Sequence, residues 1–168
     1  MTNLFEYPID AKQLLRKKAA VKKELLNKGS DWIEKKIAVL GGSTTNEVTA
    51  QLELFLLYNG IKPEFYQSEY GQYWQDSVFG TPQLDEFSPD AVYIHTSWRN
   101  ITRFPQPDST PKAAEQMLHE EFERLQSMWQ ALEERYQCLI IQNNFDRPNY
   151  RLLGNRDIWE RTQRILYQ

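Results

Sequence analysis

The sequence has few residues of the kinds that make disulfides, metal sites and catalytic bases, with one cysteine and two histidines among 168 residues. Cys138 excludes an intramolecular disulfide, and its place in an apolar run favours a buried structural thiol over a reactive one. His95 lies in a predicted strand and His119 in the middle of a predicted helix, so the two lack metal-ligand spacing. We therefore expect no metal and no cofactor.

Long apolar runs and an excess of charge are also missing. No stretch approaches the roughly 18 apolar residues of a membrane span, and the N-terminus lacks an apolar signal core. A net charge of -3 gives no overall attraction to nucleic acid or to anionic membranes. We expect a cytoplasmic protein that binds neither. The 13% aromatic content and five tryptophans predict a folded globule of ordinary domain size.

A basic amphipathic segment occupies the N-terminal part of the chain. Residues 10–28 predict a helix with Asp10 as its N-cap and Gly29 as its end. Its lysines and arginines form either a solvated face or a docking surface for an acidic partner or domain. We treat residues 1–30 as this helical unit and residues 31–168 as the main domain.

Short apolar strands alternate with helices in the main domain. We predict strands near residues 36–41, 62–69, 91–97 and 137–144, and helices near 44–58, for about 25 residues from Pro111, and over 157–167. The segment between the second and third strands is predicted as a loop, and residues 97–111 as a long proline-rich lid or insertion. The order predicts an α/β fold, a three-layer α/β/α sandwich with a mostly parallel sheet.

Polar residues follow each predicted strand. Ligands of open α/β sheets bind at the carboxyl ends of the strands, so these loops predict a binding or catalytic cleft. The polar and aromatic residues that we expect at this edge, in chain order, are Ser43, Asn46, Tyr70, Gly71, Trp98, Arg99, Asn100, Asn143 and Asn144.

The turn "GGSTTNE", residues 41–47, allows two interpretations. No lysine follows the glycines, which excludes a P-loop, and two adjacent glycines do not match a dinucleotide fingerprint. Ser43 is either a nucleophile near the positive end of the next helix, or a residue like Thr44 that caps that helix with Glu47 completing a capping box. From the residues alone, no catalytic triad can be assembled.

Three stretches carry a family resemblance that covers about residues 36–156. "IAVLGGSTTNEVTAQLELFLLYNGIKPEFYQSEYGQY", "SPDAVYIHTSWRN" and "IIQNNFDRPNYRLLGN" resemble, in this order, the N-terminal domain of FkbH-like proteins of the haloacid-dehalogenase superfamily, subfamily IIIC. Members typically join this domain to a phosphatase-type domain. Some load a glyceryl unit onto an acyl carrier protein in polyketide pathways, and others occur in polysaccharide clusters. The resemblance implies a downstream phosphatase-like domain, and an acyl carrier protein, as partners.

That N-terminal domain is itself similar to the SGNH (GDSL-like) hydrolase fold, a flavodoxin-like sandwich. The superfamily has a serine after the first strand, a glycine after the second and an asparagine after the third, which Ser43, Gly71 and Asn100 match. The resemblance implies that Ser43 is the nucleophile of an ester or thioester hydrolase or acyltransferase. It also implies that the Gly71 N–H, the Asn100 side chain and the Ser43 N–H form the oxyanion hole. We expect Asn46, Tyr70, Trp98, Arg99, Asn143 and Asn144 to contact the substrate.

Two motifs of these families are absent. The Asp-x-x-His block that supplies the SGNH base has no counterpart, and neither does the phosphatase Asp-x-Asp motif. We therefore expect a C-terminally incomplete domain that needs residues beyond 168 for activity.

Two non-catalytic functions stay open. One is a recognition module for an acyl carrier protein, an acyl group or a sugar, with Arg99 and Arg103 able to pair with phosphate. The other is a purely structural role, in which the N-terminal helix docks on another domain or subunit.

Overall fold

The computed structural model describes residues 4–29, 31–106, 108–146, 148 and 154–158. The elements in chain order are α1 (Ala11–Lys28), β1 (Ile33–Gly41), α2 (Asn46–Tyr58), β2 (Ile61–Gln67), α3 (Tyr73–Phe79), α4 (Pro82–Phe87), β3 (Ala91–His95), a 3-10 turn (Trp98–Asn100), α5 (Pro111–Tyr136), β4 (Leu139–Gln142) and a second 3-10 turn (Gly154–Ile158). Most of the helix predicted over 157–167 lies outside the described residues.

The four strands form one parallel sheet in the order β2-β1-β3-β4. Ile37 of β1 is paired with Phe65 of β2 and with Ala91 of β3, and Ala91 is paired in turn with Leu139 of β4. Right-handed crossovers place the connections to β2 and to β4 on opposite faces, with α2 on one face and α5 on the other. The predicted α/β fold with its three layers is confirmed.

The main core lies between the sheet and α3, α4 and α5. Alternate residues of β1 and β3, among them Leu40 and Ile94, point to this face, where Leu84, Met128 and Leu132 cover them. This burial is the largest favourable contribution to the stability of the domain.

The opposite face carries α2, with α1 packed outside it. Leu14 and Val21 of α1 pack with Leu54 of α2. Lys18 and Lys22 form salt bridges with Glu47 and Glu53 of α2, so part of the basic face of α1 is used inside the domain. Asp10 caps α1 by accepting a hydrogen bond from the Gln13 N–H, as predicted.

A groove of about 840 Å³ stays open on this same face, beside α2. Its floor includes Tyr93 of β3 and the exposed side chains of Leu139 and Ile141 of β4. Among the described helices, none is both long and apolar enough to cross a membrane.

Two short helices replace the loop predicted between β2 and β3. The Thr81 side chain accepts a hydrogen bond from the Leu84 N–H and Pro82 follows it, which together start α4. Helices α3 and α4, with seven and six residues, are too short to show a repeating apolar stripe in the sequence.

The strand boundaries also differ from the prediction: β2 and β3 end two residues early, and the differences at β1 and β4 have a clear cause. Strand β1 begins three residues early, because the exposed segment from Ile33 to Lys36 pairs with β2 although only the second half of the strand is buried. Strand β4 is shorter than predicted. Gln137 ends α5 in a left-handed conformation, and the Asn143 side chain binds the Thr96 backbone just beyond the strand.

Candidate functional site

The loops that follow β1, β2 and β3 are joined by direct hydrogen bonds. The Gly41 N–H donates to Ser68 Oγ at 2.9 Å, and the Ser68 N–H donates to the Val39 carbonyl at 3.1 Å. The Gly42 N–H donates to the His95 carbonyl at 2.8 Å. Because β1 and β3 are neighbours whose chains leave to opposite faces, this point is the switch point at which α/β folds bind ligands.

Ser43 lies in the turn between β1 and α2 and is half-buried. The helix that follows does not use it as a cap: Thr45 is the N-cap residue, and its hydroxyl donates to Gln67 Oε1 at 3.1 Å. Glu47 forms a salt bridge with Lys18 instead of a capping box. The interpretation of Ser43 or Thr44 as the cap of α2 is therefore wrong. Among the described residues, neither the hydroxyl nor the N–H of Ser43 has a hydrogen-bond partner.

Asn100 is held against the backbone next to Ser43. Its Nδ2 donates to the Gly42 carbonyl at 3.0 Å, and its Oδ1 accepts a hydrogen bond from the Ser97 N–H at 2.8 Å. A Cβ on Gly42 would lie 2.3 Å from Asn100 Nδ2, so only glycine fits here without movement. An amide nitrogen carries two hydrogens. The second one on Asn100 has no partner among the described residues.

Gly71 lies in the exposed turn between β2 and α3. Its φ of +76° is in the left-handed region that favours glycine, while a Cβ would meet nothing within 4 Å. The turn is closed by a hydrogen bond from the Gln72 N–H to the Glu69 carbonyl at 3.1 Å. The Gly71 N–H has no acceptor within the part of the chain that the structure describes, and the neighbouring Tyr70 side chain is 77% exposed.

Three further residues expected to contact the substrate lie at the surface of the first and third loops. Asn46 is exposed at the first position of α2. The Arg99 guanidinium is exposed and lies 5.0 Å from the centre of the Trp98 ring. The Trp98 N–H donates to Asp146 Oδ1 at 3.0 Å, which connects the third loop to the fourth.

Asn143 has its side-chain amide occupied by the fold. Its Oδ1 accepts a hydrogen bond from the Thr96 N–H at 3.0 Å, and its Nδ2 donates to the carbonyls of Thr96 at 2.7 Å and of Asn144 at 2.8 Å. The residue therefore fixes the fourth loop against the third. Asn144 is exposed.

Neither histidine contacts Ser43. His95 Nδ1 lies 3.2 Å from the Tyr93 hydroxyl. His119 Nε2 lies 3.3 Å from the Glu123 carboxylate, on the exposed side of α5. Within the described ranges, no group of three His, Cys, Asp or Glu side chains could hold a metal ion.

Two charged residues of α5, Glu121 and Arg124, hold the loop that carries Asn100, and neither was predicted from the sequence. Two apolar residues at helical spacing in α5, Leu118 and Phe122, are 37% and 51% exposed, whereas Glu121 is only 3% exposed. Glu121 binds Arg124, and Arg124 Nη2 donates to the Asn100 carbonyl at 3.1 Å. Charged residues next to an apolar stripe are typical of a solvated helix face, so no local pattern indicates that this pair is buried.

Burial and bonding shift the pKa of two groups beside these loops. Burial disfavours the charged form of Arg124, but its hydrogen bonds to Glu121 and Tyr73 outweigh that effect and raise its pKa. Burial raises the pKa of Asp76, and the nearby charge of Glu69 adds to the rise.

The comparisons with known proteins give a fold likeness. Neither the models of known families nor the sequences of curated proteins match the chain. The chain is similar to the crystal structure of the N-terminal part of the protein BF1531 from Bacteroides fragilis, which contains a phosphatase domain complexed with Mg. The TM-score is 0.63 at 15% sequence identity, and the match covers 86% of this chain and 36% of that chain. This chain therefore spans about a third of the neighbour's length, and the likeness shows a common fold.

Proposed function

We propose that the loops carrying Ser43, Gly71 and Asn100 form an SGNH-type acyl site in a domain of an FkbH-like biosynthetic protein. Ser43 would attack an ester or thioester for hydrolysis or acyl transfer. The observation that carries this proposal is a set of unused polar groups at the switch point of the sheet. They are the Ser43 hydroxyl and N–H, the Gly71 N–H and the second amide hydrogen of Asn100.

The reaction follows from these groups and one base. Ser43 Oγ bonds to the carbonyl carbon while a base takes its proton, and the electron pair of the C=O bond moves to oxygen. The backbone N–H groups and the Asn100 amide hydrogen stabilise this oxyanion. When the C=O bond re-forms, the alcohol or thiol leaves with the proton from the base, and an acyl-serine remains. Water or an acceptor alcohol then attacks it and restores the hydroxyl.

The base of this reaction lies outside the described residues in our proposal. His95 and His119 are both bonded elsewhere, and no described side chain accepts a hydrogen bond from Ser43. The proposed partners are a phosphatase-like domain and an acyl carrier protein, which would present its acyl group as a thioester. The phosphatase domain of the structural neighbour is consistent with the first of these partners.

Thiol release from an acyl thioester tests the proposal. We expect the protein, expressed together with the segment that supplies the base, to release the thiol, and Ser43→Ala in the same protein to abolish the release. The matched control is Thr44→Ala, which removes the adjacent, exposed hydroxyl and should leave the rate unchanged. Equal rates for the protein and Ser43→Ala would refute Ser43 as the nucleophile.

A second candidate function is recognition of the acyl group or its carrier without bond breaking. The observation in its favour is that no base contacts Ser43 among the described residues, while Tyr70 and Arg99 are exposed beside the loops. A non-hydrolysable thioether analogue should then bind equally to the protein and to Ser43→Ala, with no thiol released from the true thioester. Tyr70→Ala should weaken that binding.

A further inference from the structure

Arg124 of α5 touches the loop that carries Asn100 and the first residues of α3, the helix that follows the Gly71 turn. Its Nη2 donates to the Asn100 carbonyl at 3.1 Å, at the end of the 3-10 turn after β3. The same nitrogen lies 3.4 Å from the Tyr73 hydroxyl, and the guanidinium carbon lies 4.8 Å from the centre of the Trp74 ring. Tyr73 and Trp74 begin α3, two residues after Gly71. One side chain thus connects the segment that follows Gly71 with the segment that contains Asn100.

Glu121 fixes the guanidinium in this position. Its Oε1 accepts a hydrogen bond from Arg124 Nε at 3.0 Å. Its Oε2 accepts two hydrogen bonds from Thr102, from the N–H at 3.2 Å and from the hydroxyl at 2.6 Å. A carboxylate that is 3% exposed is stable only when it is paired and hydrogen-bonded. The pair therefore holds the loop on both sides of Ile101, which is itself buried.

The contacts use properties that only arginine has. A guanidinium is planar, with donors directed to several sides and a flat face that stacks on an aromatic ring. Here the edge serves Glu121 and the Asn100 carbonyl while the face lies over Trp74. A lysine ammonium keeps the charge but is a compact point that cannot make these contacts together.

We propose that Arg124 is a positioning residue, which sets the separation between the Gly71 N–H and the Asn100 amide. Arg124 does not touch the reacting atoms; it acts through Tyr73 and Trp74 on one side and through the Asn100 backbone on the other. Its consequence for catalysis rests on the proposed function, whereas its effect on the two donors is independent of any reaction.

Arg124→Lys tests the proposal, with Arg135→Lys as the matched control. Arg135 lies on the same helix and pairs with Asp85 of α4, and no hydrogen bond or ion pair among the described residues connects it to the loops of the site. The first measurement is the amide NMR spectrum of each variant, which reports the Gly71 N–H and the Asn100 side-chain amide. We expect both signals to shift in Arg124→Lys and to stay in place in Arg135→Lys. Unchanged signals in folded Arg124→Lys would overturn the proposal.

The second measurement is the rate of Ser43 phosphonylation by a fluorophosphonate, separated into probe binding and the bond-forming step. Misplaced oxyanion donors slow bond formation, so we expect a fall of about tenfold in that step for Arg124→Lys. An equal rate of bond formation in Arg124→Lys and in the unsubstituted protein would overturn the positioning role. If the unsubstituted protein is not labelled even when the segment that supplies the base is present, the proposed function fails, and the NMR result alone decides on Arg124.

A milder variant covers the case in which Arg124→Lys does not fold. Glu121→Gln keeps the shape of the side chain and weakens its hold on Arg124 and Thr102. We expect it to shift the Asn100 signal more than the Gly71 signal, because Thr102 lies two residues after Asn100, the last residue of the 3-10 turn. A spectrum in which neither signal moves would contradict the proposed connection.

Discussion

Gly42→Ala should destabilise the protein by forcing Asn100 away from the β1 turn. The added Cβ would lie 2.3 Å from Nδ2, 2.5 Å from Cγ and 2.6 Å from Oδ1 of Asn100. Asn100 cannot retreat without breaking its hydrogen bonds to the Gly42 carbonyl and the Ser97 N–H. Overpacking of this kind costs about 1–3 kcal/mol. Two lost hydrogen bonds of about 1 kcal/mol each lead to a similar value, so we expect about 2 kcal/mol.

Urea unfolding of four proteins measures this cost and its cause. The four are the unsubstituted chain, Gly42→Ala, Asn100→Ala and the double variant. Asn100→Ala removes the three atoms nearest to the new Cβ, so Gly42→Ala should cost less than about 0.5 kcal/mol in that background. In a thermal scan, 2 kcal/mol corresponds to a fall of about 4–8 °C in Tm.

Gly71→Ala is the control for adding a methyl group to a glycine of the site. Its Cβ would lie in open space, but its φ of +76° makes any side chain costly by about 1 kcal/mol. That cost should be the same with and without Asn100. A Gly42→Ala penalty that is likewise independent of Asn100, or no penalty at all, would refute the close approach on which the site is built.

Three further predictions concern groups around the sheet edges. Asp76→Asn should raise Tm at pH 7, because burial raises the folded pKa of Asp76 and so disfavours its charged form. The gain in Tm should disappear as the pH falls below about 4, where the carboxyl is protonated in both the folded and the unfolded state. A gain in Tm that does not change with pH would contradict this reasoning. Asp90→Asn should cost up to about 1 kcal/mol at pH 7, because hydrogen bonds from the Lys36 N–H and from Lys35 lower the pKa of Asp90. That cost should fade as the pH drops through the folded pKa, and a larger cost at pH 3 than at pH 7 would be the opposite result. Asn143→Ala should cost about 2 kcal/mol in urea unfolding, because it leaves the Thr96 N–H and carbonyl without partners; a neutral effect would mean that water replaces the amide.

The sequence predicts the elements whose burial repeats along the chain. The apolar run that ends at Gly41 and the stripe from Leu125 to Leu132 mark β1 and α5 because each covers several turns or pleats. Helices α3 and α4 are shorter than that repeat, and Thr81 followed by Pro82 is a sequence signal for the start of α4 but not for α3.

The site is predictable in its location but not in its connections. The alternation of strands and helices places Ser43, Gly71 and Asn100 at one edge, because the carboxyl ends of parallel strands lie together. Which polar side chain the fold itself uses depends on contacts between distant segments. The Asn143 amide binds the Thr96 backbone, and the buried Glu121 carboxylate binds Thr102, nineteen residues earlier in the chain. Neither pairing leaves a mark in the local sequence.

Reaction with a fluorophosphonate, followed by intact mass and peptide mapping, tests directly whether Ser43 is the nucleophile of an acyl site. In a protein that includes the segment supplying the base, we expect one adduct per chain, located on Ser43, absent from Ser43→Ala and retained in Thr44→Ala. An unmodified mass, under conditions that fully label a serine hydrolase used as a positive control, would contradict an acyl site at Ser43. The carboxyl edge of the sheet would then have to be explained as a recognition surface.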